Sequence, residues 1–155
     1  MTRHPFRCAA AVAAISLPLV AGGTAHADDP SFTHDQVTAL RAATARFHSL
    51  RQTLMSGRTD LHLCMDQMGE HYTDTATFGD GVLDPTDPEA MVYEHTTSGL
   101  KLVAVEWVST SPGSVNGVPL HLNTDLGVYV LHAWVWKHNP AGMLQDFNPT
   151  VGNCP

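Results

Sequence analysis

Two stretches in the second half of the chain, Leu100–Val108 and Gly127–Lys137, alternate residue by residue. A period of two commits this part of the chain to β-strands. In the first stretch Leu100, Leu102, Ala104, Glu106 and Val108 share one face, with Lys101, Val103, Val105 and Trp107 opposite. In the second, Val128, Val130, His132, Trp134 and Trp136 share a face, and His132 is at its centre. An ionisable group therefore falls among apolar neighbours in both. An isolated charge in a low-dielectric interior costs several kcal/mol, so each group needs a partner. Either Glu106 and His132 pair with each other and stabilise the core, or both turn toward a shared metal or small ligand.

Upstream, Leu40, Ala43, Phe47, Leu50 and Leu54 recur at steps of three and four. That spacing predicts one amphipathic helix over Asp35–Met55, capped by Thr33 and stopped at Gly57. Residues 58–88 are rich in Gly, Pro, Asp and Thr and read as loop with at most one short strand. Ala90–His95 reads as a strand, turning at Ser98-Gly99 into Leu100–Val108. Ser111–Pro119 is a polar loop, and the proline-bearing His138–Pro155 is ordered coil. A helix followed by strands predicts an α+β domain, with one N-terminal helix packed on an antiparallel sheet or small open barrel.

The first 27 residues read as an export signal: Arg3, His4 and Arg7, an apolar run Ala9–Val20, then Ala25-His26-Ala27. The mature domain is then 28–155, secreted or held at the cell envelope, with no later stretch long enough to span a membrane. Removing the signal takes two of the 8 basic residues and none of the 15 acids, so the net charge moves from -7 to about -9. Such acidity excludes nucleic acid and anionic membranes as partners, since both are held by Lys and Arg. Cys8 leaves with the signal. Cys64 and Cys154 remain, and an even pair in an oxidising compartment is expected to form a disulfide.

Met68-Gly69-Glu70-His71-Tyr72 adds a histidine beside an aromatic, and Glu89 and Glu94 add carboxylates. His71, His132 and one or two of Glu89, Glu94 and Glu106 would form the mixed imidazole–carboxylate shell common for zinc, iron or manganese. Tyr72 and Trp134 would supply the apolar wall of such a pocket. No HxH or HExxH spacing marks the site. His34, His62, His95 and His138 are expected in solvent, and His121 can join a site at the sheet end. No GxSxG elbow, Walker loop or GxGxxG is present, and a bridged Cys64 cannot serve as a nucleophile. Two readings stay open: a secreted binding protein for a divalent metal or small ligand, or a non-catalytic structural domain with a core Glu106–His132 pair. An enzyme would require a metal with an open coordination position.

The segments Met68-Gly69-Glu70-His71-Tyr72, Pro88-Glu89-Ala90, Val105-Glu106-Trp107 and Leu131-His132-Ala133-Trp134-Val135-Trp136 occur in a recognisable order. With Asn148-Pro149 and Cys154, that order resembles a group of small secreted bacterial proteins of unknown function. The resemblance spans residues 35–155. It implies one domain and singles out His71, Glu89, Glu106 and His132, without supplying an activity.

Overall fold

The computed structural model describes residues 31–155; the export segment expected over residues 1–27 lies outside them. Thr33 caps the first helix as expected. Its hydroxyl accepts from the Gln36 backbone N–H at 3.3 Å, while its own N–H donates to the Gln36 side chain at 2.7 Å. The helical segment starts at His34, some way into the chain, and it is not one helix. Helix α1 spans His34–Thr44, a 3-10 turn Ala45–His48 follows, and α2 spans Leu50–Met55 after an extended Ser49. The break rotates the second half, so Thr53 is buried and Leu54 is exposed, the reverse of the predicted stripe. It also frees the Phe47 carbonyl, which accepts from the Tyr93 hydroxyl at 2.6 Å. A buried acceptor is satisfied by tertiary structure here, and helical periodicity cannot report that.

Eight strands follow. They are β1 (Thr59–Met65), β2 (Gly69–Thr73), β3 (Ala90–Thr96), β4 (Gly99–Ser109), β5 (Ser114–Val115), β6 (Val118–Pro119), β7 (His121–Asn123) and β8 (Val128–Ala133). Six of them form an antiparallel sheet in the order β1-β2-β3-β4-β8-β7, and β5-β6 is a separate small hairpin. The expected α+β class holds, as do the β3 and β4 strands and the turn between them. The segment 58–88, read as loop, instead supplies the β1–β2 hairpin. Its alternation is masked by a register shift between Asp60 and Cys64 and by the left-handed His62 (φ 54°). Gly69 has φ 118°, and a Cβ there would collide with the Tyr93 carbonyl, so only glycine lets β2 begin so close to β3.

The sheet curls into a half-barrel, so that residues of both its edges line the same concavity. The convex face packs under the helices around Leu40, Phe47, Met91, Tyr93, Val105 and Trp107. A bulge in β4 sets which residues go where. Tyr93 pairs with Leu102 and Val92 with Ala104, leaving Val103 extra. Leu102 therefore joins the convex core with Val105 and Trp107, while Ala104, Glu106 and Val108 occupy the concave side. The simple alternation of Leu100–Val108 put Leu102 on the Glu106 face; the extra residue reverses that assignment.

Strand β8 ends at Ala133, short of the predicted Lys137. The Val135 N–H turns back to the Ala133 carbonyl at 2.9 Å, and after the Trp136 N–H reaches the Val103 carbonyl of β4 at 3.2 Å the chain leaves the sheet. The C-terminal coil then crosses beneath the concave face, where Trp134 and Val151 pack on Met68, Val92, Val103 and Ala104. Cys64 and Cys154 are bridged, with Cα atoms 5.9 Å apart across 90 residues. No helix among the described residues is long and apolar enough to cross a membrane. A bridge closing a loop of this length stabilises by about 4–5 kcal/mol in the chain-entropy model. Replacing both cysteines by serine should lower the unfolding free energy by up to about that amount, measured by urea denaturation; an unchanged midpoint would show that the coil is held by its other contacts alone.

Candidate metal centre

Glu106 on β4 and His132 on β8 are directly opposed in the sheet register. His71 comes from β2, two strands from β4, on the same concave face. Adjacent strands are about 4.8 Å apart, so β2 and β4 are separated by roughly twice that. Between them on β3, Val92 lies opposite His71 and the small Ala90 lies opposite Glu106, so His71 and Glu106 face each other on a diagonal across that strand. The donor atoms of His71, Glu106 and His132 all lie within 4.8 Å of one another. The three residues are 3%, 7% and 2% exposed, so water does little to stabilise their charges.

The tautomers of both histidines are fixed by their outer nitrogens. His71 Nδ1 lies 2.9 Å from the Leu63 carbonyl, which can only accept, so Nδ1 carries the proton. His132 Nδ1 lies 3.3 Å from Asp146 Oδ1, and a carboxylate likewise accepts. Each ring therefore directs its Nε2 inward. His71 Nε2 is 3.6 Å from Glu106 Oε2, and His132 Nε2 is 3.4 Å from Glu106 Oε1. Both separations exceed the 2.7–3.2 Å range of an N–H···O hydrogen bond. His132 Nε2 is buried without a hydrogen-bond partner. Donor atoms bound to zinc at 2.0–2.2 Å in a tetrahedron are about 3.4 Å apart, close to the 3.4 and 3.6 Å of the two imidazole–carboxylate pairs.

Two carboxylates bear on His132. Burial pushes the His132 pKa down, but the Glu106 and Asp146 carboxylates outweigh it and hold it above the ordinary histidine value. Burial raises Asp146, yet the hydrogen bond and charge of His132, joined by His121, hold it below the usual carboxylate range. His121 Nε2 reaches Asp146 Oδ2 at 2.9 Å, so a polar chain runs from the exposed His121 through Asp146 to His132. His121 thus joins the site at the sheet end. Asp146 and the Leu63 carbonyl were missed in the sequence: Asp146 is one acid among many in a coil, and a backbone carbonyl leaves no signature.

Other expected site residues lie elsewhere. Glu89 stands at the start of β3 and points away from the histidines, accepting from the Val108 backbone N–H at 2.9 Å. It lines a separate cavity of about 350 Å³ with Arg58, Asp74, Asp80, Asp84 and Asp87. Tyr72 alternates with His71 on β2, so it faces the convex core and packs edge-on against Tyr93 with ring centroids 5.3 Å apart. Trp134 is past the end of β8, where its indole N–H donates to the Gln145 carbonyl at 2.6 Å and its ring buries under the C-terminal coil. Glu94 is paired with Lys137 and Lys101. His34, His62, His95 and His138 are exposed, as expected. Cys64, Glu70 and His95 form a second cluster of ligand-type residues, but the disulfide leaves Cys64 no thiolate to give a metal.

Glu89 has a measurable consequence of its own. Removal from water pushes its carboxyl from 4.5 up to about 7, against the opposing Val108 N–H and Arg58. The native state then holds a proton between these values that the unfolded chain has lost. The contribution to stability is full below the unfolded pKa of 4.5 and is lost as pH rises through about 7, an effect of about 3 kcal/mol. Glu89→Gln should remove this slope: urea unfolding across pH 5 to 8 should show the wild type losing stability relative to the variant. Parallel pH profiles would refute the shift. Comparisons with protein-family models, with characterised proteins and with solved structures give no match for the chain.

Proposed function

We propose that this is a secreted protein that binds one divalent transition-metal ion, zinc above all, through His71 Nε2, His132 Nε2 and the Glu106 carboxylate. The observation that carries the reading is the inward-facing Nε2 pair. Both outer nitrogens already donate, to the Leu63 carbonyl and Asp146, so in the neutral rings two lone pairs confront a carboxylate at 3.6 and 3.4 Å. Lone pairs facing carboxylate oxygens repel, and a metal ion converts that repulsion into coordination. The Leu63 carbonyl and Asp146 then serve as the outer partners that orient metal-bound imidazoles. Two imidazoles and a carboxylate suit zinc, iron(II) or manganese and leave at least one coordination position for a further ligand. The disulfide is consistent with an oxidising compartment.

The upward shift of His132 favours a second reading, in which an imidazolium is held between Glu106 and Asp146 as a purely structural ion pair. Metal analysis separates the two. Protein purified without a histidine tag and incubated with zinc should retain one equivalent after dialysis. At a hundredfold excess over Kd, bound zinc should add about 2.7 kcal/mol to the unfolding free energy. Glu106→Ala and His132→Ala should abolish retention, and Asp146→Ala should weaken affinity about 10–100-fold. Wild type that retains no zinc and gains no stability from it would leave the structural ion pair as the correct account.

A further inference from the structure

The concave face holds more than three ligands. Two adjoining cavities meet at His71 and Glu106, sharing Leu63, Leu126 and Val130 as common wall. One, about 240 Å³, is the polar approach past His121, Asn123 and Asp146. The other, about 220 Å³, is bounded chiefly by Leu61, Phe78, Val108 and Val128. Its walls are aliphatic and phenyl groups, apart from Thr73 and the two site residues.

The apolar character continues to the rim. Seven large hydrophobic residues among those described are exposed, and Leu61, Leu122, Leu126 and Phe147 are four of them. All four border these two cavities. Exposed apolar surface is ordinary when scattered, but its concentration around one opening marks a place where apolar matter is bound. A cavity of about 150 Å³ suffices for benzene, so the apolar compartment accepts a body of that size with space for a head group.

We propose, resting on the metal reading above, that the centre holds a small monocarboxylic acid with an apolar or aromatic body, its carboxylate on the open metal position and its body in the compartment of Phe78, Val108 and Val128. Charge supports a carboxylate head: a divalent ion with two neutral imidazoles and Glu106 retains one positive charge, and Asp146 lies behind His132, on the ring nitrogen that faces away from Glu106. Apart from Thr73 the walls offer no partner to a second polar group, so sugars and amino acids are disfavoured, since most of their additional polar groups would be desolvated without partners.

Cobalt(II) in place of zinc gives the site a visible spectrum, which makes the test direct. The cobalt-loaded protein is titrated with benzoate, acetate and benzamide. Benzoate should perturb the cobalt bands and bind at least tenfold more tightly than acetate, while neutral benzamide should leave the bands unchanged. Val128→Phe, which fills the compartment, should bind cobalt normally and lose the preference for benzoate over acetate. Leu126→Trp, at an exposed turn position that tolerates bulk, should narrow the same space if Val128→Phe does not fold. Cobalt bound with bands indifferent to benzoate, equal affinity for benzoate and acetate, or a preference that survives narrowing would overturn the proposal while leaving the metal reading intact. Failure to bind cobalt would overturn both.

Discussion

The concave face of the sheet is organised around one electrostatic conflict, a buried carboxylate flanked by two imidazole nitrogens whose protons have been drawn to the far side of each ring. Water could relieve that conflict on a surface, but these groups are almost wholly enclosed. The surrounding structure maintains it from three directions. Strand β1 supplies a carbonyl to His71, the C-terminal coil supplies Asp146 to His132, and the β4–β8 register holds Glu106 opposite His132. A core built for stability alone could have used apolar residues at these positions at no loss. Desolvated, perturbed groups of this kind concentrate at functional sites, and that is the ground on which we propose one here.

The curl of the sheet gives this arrangement its access. A flat sheet would place β1 and β7 at opposite edges with nothing between them. Here Leu63 of β1 and Leu122 of β7 border one opening, so the three polar residues lie at the base of a recess with apolar walls. The helices and the small β5-β6 hairpin contribute by covering the other face, where Trp107, Tyr93 and Phe47 are fully buried. The convex face carries the larger apolar core, and the concave face is divided between the smaller cluster under the C-terminal coil and the polar recess.

How much of this was legible in the sequence depends on which interactions leave a local trace. Glu106 and His132 stood out because a period of two placed each among apolar neighbours, and they are indeed a directly opposed pair. The α+β class and the β3–β4 hairpin were legible for the same reason. The place of Ala90 was not: an alanine in a strand carries no signal, yet it is the β3 residue that lies opposite Glu106, between the strands of His71 and Glu106. The Val103 bulge and the Ser49 break were equally silent, because each is decided by packing between distant segments, and each displaced an assignment made from periodicity. Glu89 looked like a ligand from its composition alone, but its backbone position at the start of β3 directs it to the Val108 N–H instead.

The disulfide has a consequence for how the two sides of the recess are held together. Cys64 follows Leu63, whose carbonyl holds His71, and Cys154 terminates the coil that carries Asp146 to His132. The same coil is tied back to β1 and the turn after it through Asn148 N–H to the Gln67 carbonyl at 2.8 Å and Cys154 N–H to Asp66 at 2.9 Å. One covalent bond therefore clasps together the two outer acceptors that orient the two imidazoles. Leu63 is also kept beside His71 by the β1–β2 pairing, and the coil by its packing on Met68 and Val92, so the bridge reinforces contacts that the fold already makes. The bridge thus adds a covalent tie at the point where the coil that carries Asp146 meets the edge of the sheet.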